Sequence, residues 1–115
     1  MTTRDQGTFI LACDVSEIPD DGKILSKIVR GKSILLARHS EGDDRVVAFE
    51  STCPHYQGPL RFGHVVDGEV VCPWHFMRFD TITGETVACD KTIMQLKTYS
   101  VQVVDGQIYI DMPSD

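Results

Sequence analysis

The chain has 115 residues, 42% of them hydrophobic and 24% charged, which is enough for one domain with a core of its own and no covalent staples. Its net charge of −6 argues against a nucleic-acid binder, which needs basic surface to displace counterions from phosphates. An acidic carrier could instead be steered toward a basic partner. The longest early apolar run, FILAC at 9–13, falls far short of the roughly 20 residues a bilayer requires. Arg4 is offset by Asp5, so the N-terminus does not read as a signal peptide. The expected location is therefore the cytoplasm, with no membrane attachment. In that compartment thiols stay reduced, and paired Cys and His read as metal ligands before cystines.

In chain order, TFILAC (8–13) reads as a first strand. VSEIPDDG (15–22) reads as a loop with room for at most one helical turn. KILSKIVR (23–30) and KSILLAR (32–38) flank Gly31, and RVVAFE (45–50) follows the polar turn HSEGDD (39–44). VVDGEVV (65–71) and VVDGQIY (103–109) each place Asp-Gly between β-branched runs, and that dipeptide accepts the positive φ angles of a tight hairpin turn. TITGETV (81–87) is a third hairpin candidate, turning at Thr83-Gly84. The pattern predicts a single all-β domain over 1–115, without linker, repeat or low-complexity segment.

Chemistry is concentrated in two loops. Cys53-x-His55 follows the RVVAFE strand; sixteen residues later Cys72-x-x-His75 ends the strand that leaves the Asp67-Gly68 turn. A hairpin thus brings together two loops, each offering one thiolate and one imidazole. Structural zinc takes a Cys2His2 set, but zinc fingers usually group the cysteines in one pair and the histidines in another. A mononuclear oxygenase iron would want two histidines and a carboxylate. The mixed pairing suits a [2Fe–2S] cluster with both thiolates on one iron and both imidazoles on the other.

CPH-x16-CPWH, followed by FDTITGE (79–85), resembles the Rieske [2Fe–2S] proteins. It is most similar to the small soluble ferredoxins that serve bacterial oxygenases, and to the small subunit of assimilatory nitrite reductases. The specific match runs from Cys53 to about Glu85, and 96–111 fits the family's closing hairpin. The resemblance implies an antiparallel sandwich or partial barrel with an inserted cluster-binding subdomain of two hairpin loops, at about 51–80. It implies one cluster per chain, held by Cys53, His55, Cys72 and His75. Histidine ligation leaves the oxidised cluster formally neutral and raises its potential into a window of about −150 to +300 mV. High-potential relatives resemble one another in a serine and a tyrosine after the second ligand pair, where this chain has Met77 and Phe79. They also share a loop disulfide, where it has Gly58 and Trp74. Without those groups a potential nearer −150 mV is expected.

The chain departs from the usual CPHxG and CPxHG at Gln57 and Phe76. Tyr56, Gln57, Pro59 and Leu60, with Trp74, Phe76 and Met77, are expected to cap the ligands, either shielding the cluster or docking a redox partner. Cys13 and Cys89 read as small core residues. His39 and His64 read as surface histidines, and Asp80 as a turn stabiliser. No residue pair looks like a general acid and base, and at this length no room is expected for an oxygenase catalytic domain. The resemblance therefore implies a low-potential one-electron carrier, not an enzyme, passing electrons from a flavin-dependent or other reductase to a terminal oxygenase. A nitrite reductase small subunit and a zinc-stabilised binding module are the alternatives.

Overall fold

Runs of β-branched residues broken by Gly and Asp leave the backbone little choice but extended strands joined by turns, and strands are what forms. The structure, a computed structural model, describes residues 9–19, 21–40, 45–51, 60–73, 78–87 and 96–112. Eleven strands run through them: β1 (Phe9–Asp14), β2 (Leu25–Val29), β3 (Lys32–Arg38), β4 (Val46–Glu50), β5 (His64–Val66), β6 (Glu69–Val71), β7 (Arg78–Asp80), β8 (Thr86–Val87), β9 (Thr98–Tyr99), β10 (Val101–Val104) and β11 (Gln107–Asp111). The described helical residues are two 3₁₀ turns, Val15–Glu17 and Leu60–Phe62. The first is the single turn allowed for in the 15–22 loop.

The strands make three antiparallel sheets, ordered β1-β11-β10, β2-β3-β4-β9 and β5-β6-β7-β8. The second sheet is the middle layer. Ile34 and Leu36 of β3, with Val46 and Ala48 of β4, pack in one core with Cys13, Ile108 and Ile110 from the first sheet. The alternate residues Leu35, Ala37, Val47 and Phe49 pack in a second core with Val65, Val70 and Phe79 of the third sheet. Successive side chains of a strand point to opposite faces, so a strand covered on both faces reads as an unbroken apolar run. That is why ILLA and VVAF are continuous, not alternating. Full burial of a side chain such as Phe49 stabilises the fold by about 1.5–3 kcal/mol.

The first two sheets form the base, and the short-stranded third sheet is the insertion expected from the sequence. Both Asp-Gly turns form as read, with Asp67 at φ +51° and Gly68 at +81°, and Asp105 at +52° and Gly106 at +78°. A third turn of the same kind joins β2 to β3 through Arg30 (φ +53°) and Gly31 (+81°). The 81–87 hairpin differs from expectation: its first strand is β7, and residues 81–85 are its turn. Asp80 is the cause. Its Oδ1 accepts hydrogen bonds from the backbone N–H of Ile82 (2.8 Å) and Thr83 (3.0 Å), ending the ladder and bending the chain. These bonds, that from Thr83 foremost, hold the Asp80 carboxyl below its usual pKa.

The insertion is fastened to the base at its turn end. The N–H of Val65 donates to the Gly22 carbonyl (2.8 Å) and that of Gly68 to the His39 carbonyl (2.7 Å). Gly68 has no room for a side chain: an added Cβ would lie 2.5 Å from His39 Nε2. His39 is thus half-buried against this turn, not a surface histidine, while His64 is exposed as expected. Thr81, only 2% exposed, donates from both its N–H (2.9 Å) and its Oγ1 (2.8 Å) to the Gly68 carbonyl. On the other side Leu96 N–H donates to the Gly84 carbonyl (2.8 Å).

Candidate metal centre

With its turns held on the base, the third sheet offers its opposite end to the ligand loops. β5 begins there with His64 and β6 ends there with Val71, the two being register partners. Cys72 follows at once and is fully buried, in the core that also holds Leu60, Val70, Phe79 and Leu96. The second loop occupies 72–77, closed at its base by the Val71–Arg78 pair. Its conformation is described only at Cys72 and Pro73.

The first loop leaves β4 after Glu50 and returns through the Leu60–Phe62 turn. Leu60 is fully buried in the core, so it is not available to dock a partner as expected. Gly63 closes this turn, its N–H donating to the Leu60 carbonyl (2.8 Å). A Cβ on Gly63 would lie 2.0 Å from the carbonyl oxygen of Val71, so only glycine lets the returning chain pass the residue before Cys72. The end of the first loop's return and Cys72 thereby meet at one end of one sheet.

Cys53, His55, Tyr56, Gln57, Pro59, Trp74, His75, Phe76 and Met77 lie outside the described residues, as does Cys89. Among the described residues no three His, Cys, Asp or Glu side chains gather to hold a metal ion. Cys13 is buried in the base core, as expected, and burial pushes its thiol pKa up; it is a packed thiol in a second place, not a ligand. The described residues that share a core with Cys72 are apolar. A bare thiolate would be costly there, whereas one neutralised by ferric iron would not. Two thiolates and two bridging sulfides against two ferric ions make a formally neutral oxidised group, and an apolar cradle fits that. Phe79, at the position expected to lack a hydroxyl, is fully buried in the same core as Cys72.

The fold is that of an all-β protein with a short-stranded inserted sheet, and Cys72 lies at one end of that sheet. The family follows from comparison: the Rieske [2Fe-2S] domain model matches residues 8–100, and the chain belongs to that family. Its group is a [2Fe–2S] cluster. The chain is 31% identical over 104 residues to the ferredoxin component of a naphthalene 1,2-dioxygenase system from Pseudomonas aeruginosa, covering 90% of this chain and 95% of that protein. It is 32% identical to the vanillate O-demethylase oxygenase subunit of a Pseudomonas strain, but spans only 29% of it. A ferredoxin of Sphingomonas yanoikuyae B1 superposes with a TM-score of 0.78 at 25% identity, covering 91% of this chain and 99% of that one. A chain from the complex of reduced oxygenase and oxidized ferredoxin of a carbazole 1,9a-dioxygenase superposes at 0.70 with 26% identity, covering 85% and 96%.

No helix among the described residues is long and apolar enough to cross a membrane.

Proposed function

We propose that this chain is a low-potential one-electron carrier, delivering electrons to a terminal oxygenase of the ring-hydroxylating kind. The observation that carries this reading is the match over 90% of this chain and 95% of the relative with a dioxygenase ferredoxin component. The match to the vanillate oxygenase subunit is confined to a fraction of that protein. A similar ferredoxin is seen in complex with an oxygenase. The carrier is a component of an oxygenase system and not the enzyme itself. The nitrite reductase and zinc-module readings give way to it, since these relatives are dioxygenase ferredoxins.

Residues 1–115 serve as a single domain, with the cluster loops at about 51–80. Cys53 and Cys72 hold one iron and His55 and His75 the other; when bound, the cluster takes up and gives back one electron. The protein's own part is to hold the two loops together, exclude water and set the potential. Phe79 can donate no hydrogen bond toward the cluster, and Met77 carries no donor either, which supports a potential below zero in the family's window of about −150 to +300 mV. The electron source is a flavin-dependent or other reductase, and the setting is the cytoplasm. Stopped-flow mixing of the reduced protein with purified oxygenase components of naphthalene and carbazole dioxygenases tests this. Transfer of one electron per chain to at least one of them is expected; failure with all would overturn the reading.

A further inference from the structure

The first loop returns through a turn whose middle and last residues stand out from the surface. Phe62 is 67% exposed, although Leu60, two residues before it, is fully buried. The Arg61 guanidinium lies over the Phe62 ring, 4.9 Å from its centroid. The turn between them is stiff, fixed by the Leu60 anchor, the Gly63 N–H···O=C Leu60 bond and the close pass of Gly63 over Val71. A large apolar ring is thus held in water on a rigid mount, next to the end of the sheet that carries Cys72.

Area decides what covers it. Even a weak, transient redox complex buries several hundred Å² on each partner. The two ligand loops, 51–59 and 72–77, hold fewer residues than the roughly 20–30 a side of a standard interface, so a footprint centred on them extends onto neighbouring surface. Where the first loop rejoins the sheet, that surface is Arg61, Phe62 and the exposed His64. A pre-ordered aromatic flanked by arginine loses little freedom on docking, and both residue types are enriched at interfaces relative to the rest of the surface. Arg61 also departs locally from the chain's net charge of −6, so the partner face opposite it must supply a carboxylate.

We infer that Phe62 and Arg61 are the anchor of the oxygenase-docking surface, the ring entering an apolar socket on the terminal oxygenase and the guanidinium meeting an acidic rim. This rests on the function proposed above. The test uses the full-length, cluster-loaded protein, with wild type, Phe62→Ala, Phe62→Tyr and Arg61→Glu each measured against an oxygenase component that wild type reduces. The readouts are Kd by calorimetry, the second-order electron-transfer rate, the reduced-state EPR spectrum, and the rate with ferricyanide as a small acceptor. Phe62→Ala and Arg61→Glu should each weaken binding by about tenfold or more, with EPR and ferricyanide rates unchanged, and Phe62→Tyr should restore wild-type affinity. Wild-type affinity in Phe62→Ala would overturn the docking assignment while leaving the carrier reading intact. A chain that self-associates through Phe62, shown by Phe62→Ala dissociating a dimer in sedimentation, would also overturn it. Wild-type protein that reduces no oxygenase component would overturn the carrier reading itself, and the assignment with it.

Discussion

Cys13 and Cys72 are both buried, yet their neighbours set them apart. Cys13 packs between the strands of the base, where its thiol is kept neutral; Cys72 closes the cluster sheet beside a fixed loop return. Cys72→Ser should therefore abolish iron retention, while Cys13→Ser should keep full iron and sulfide content and cost about 1–2 kcal/mol of stability. Metal and acid-labile sulfide analysis of the two variants checks this. Asp80 gives a second prediction. Its pKa is depressed in the fold, so its contribution is present above the unfolded carboxylate value and lost as pH falls through the folded one. Asp80→Asn should cost about 1 kcal/mol near neutrality, partly screened by solvent. In denaturation curves the gap between wild type and variant should close on acidification below about pH 4. That Asp80 holds a turn could be read from FDTITG alone, because an Asx turn is a local matter. The half-burial of His39 could not, since it depends on Gly68, distant in the chain, lying against it.

At the scale of elements, the hairpins most legible in the sequence were those with Asp-Gly turns, whose backbone demand is written in two residues. The Arg30-Gly31 turn uses the same positive φ pair, but arginine there carries no such signal, and only Gly31 marked it. The 81–87 hairpin has a longer turn than its Thr83-Gly84 pair suggests, because the Asp80 carboxylate captures the amides of Ile82 and Thr83. The fastening of the cluster sheet was not legible, since it joins glycines to carbonyls far away in sequence. Gly63 and Gly68 carry the sharpest prediction at this scale. Gly68→Ala must place a Cβ at φ +81° against His39, and a loss of about 1–3 kcal/mol is expected. Gly63→Ala meets backbone, which cannot yield as a side chain can, so it should be the more damaging in thermal melts and should also lower cluster occupancy. Equal stability of both variants to wild type would show that the close approaches are not real constraints.

For the whole molecule, three layers share one division of labour. Strands β3 and β4 of the middle sheet are buried on both faces and floor the inserted sheet, and Cys72 lies at the end of that sheet away from the fastened turns. The sequence carried the all-β class, because strand periodicity is a short-range pattern; the Cys-His ligand set is a reading of spacing alone, since its members, Cys72 apart, lie outside the described residues. It did not reveal that the middle sheet serves two cores, though the unbroken ILLA and VVAF runs are its trace. Nor did it single out Phe62, since exposure of an aromatic is a property of the tertiary fold. The measurement that bears most directly on the site is pulsed EPR of the chemically reduced protein, with nitrogen hyperfine couplings resolved. The predicted result is a half-integer spin signal coupled to two imidazole nitrogens, lost when either His55 or His75 is replaced. A reduced protein with no such signal, or a cluster coupled to no nitrogen, would contradict ligation by two sulfurs on one iron and two imidazoles on the other.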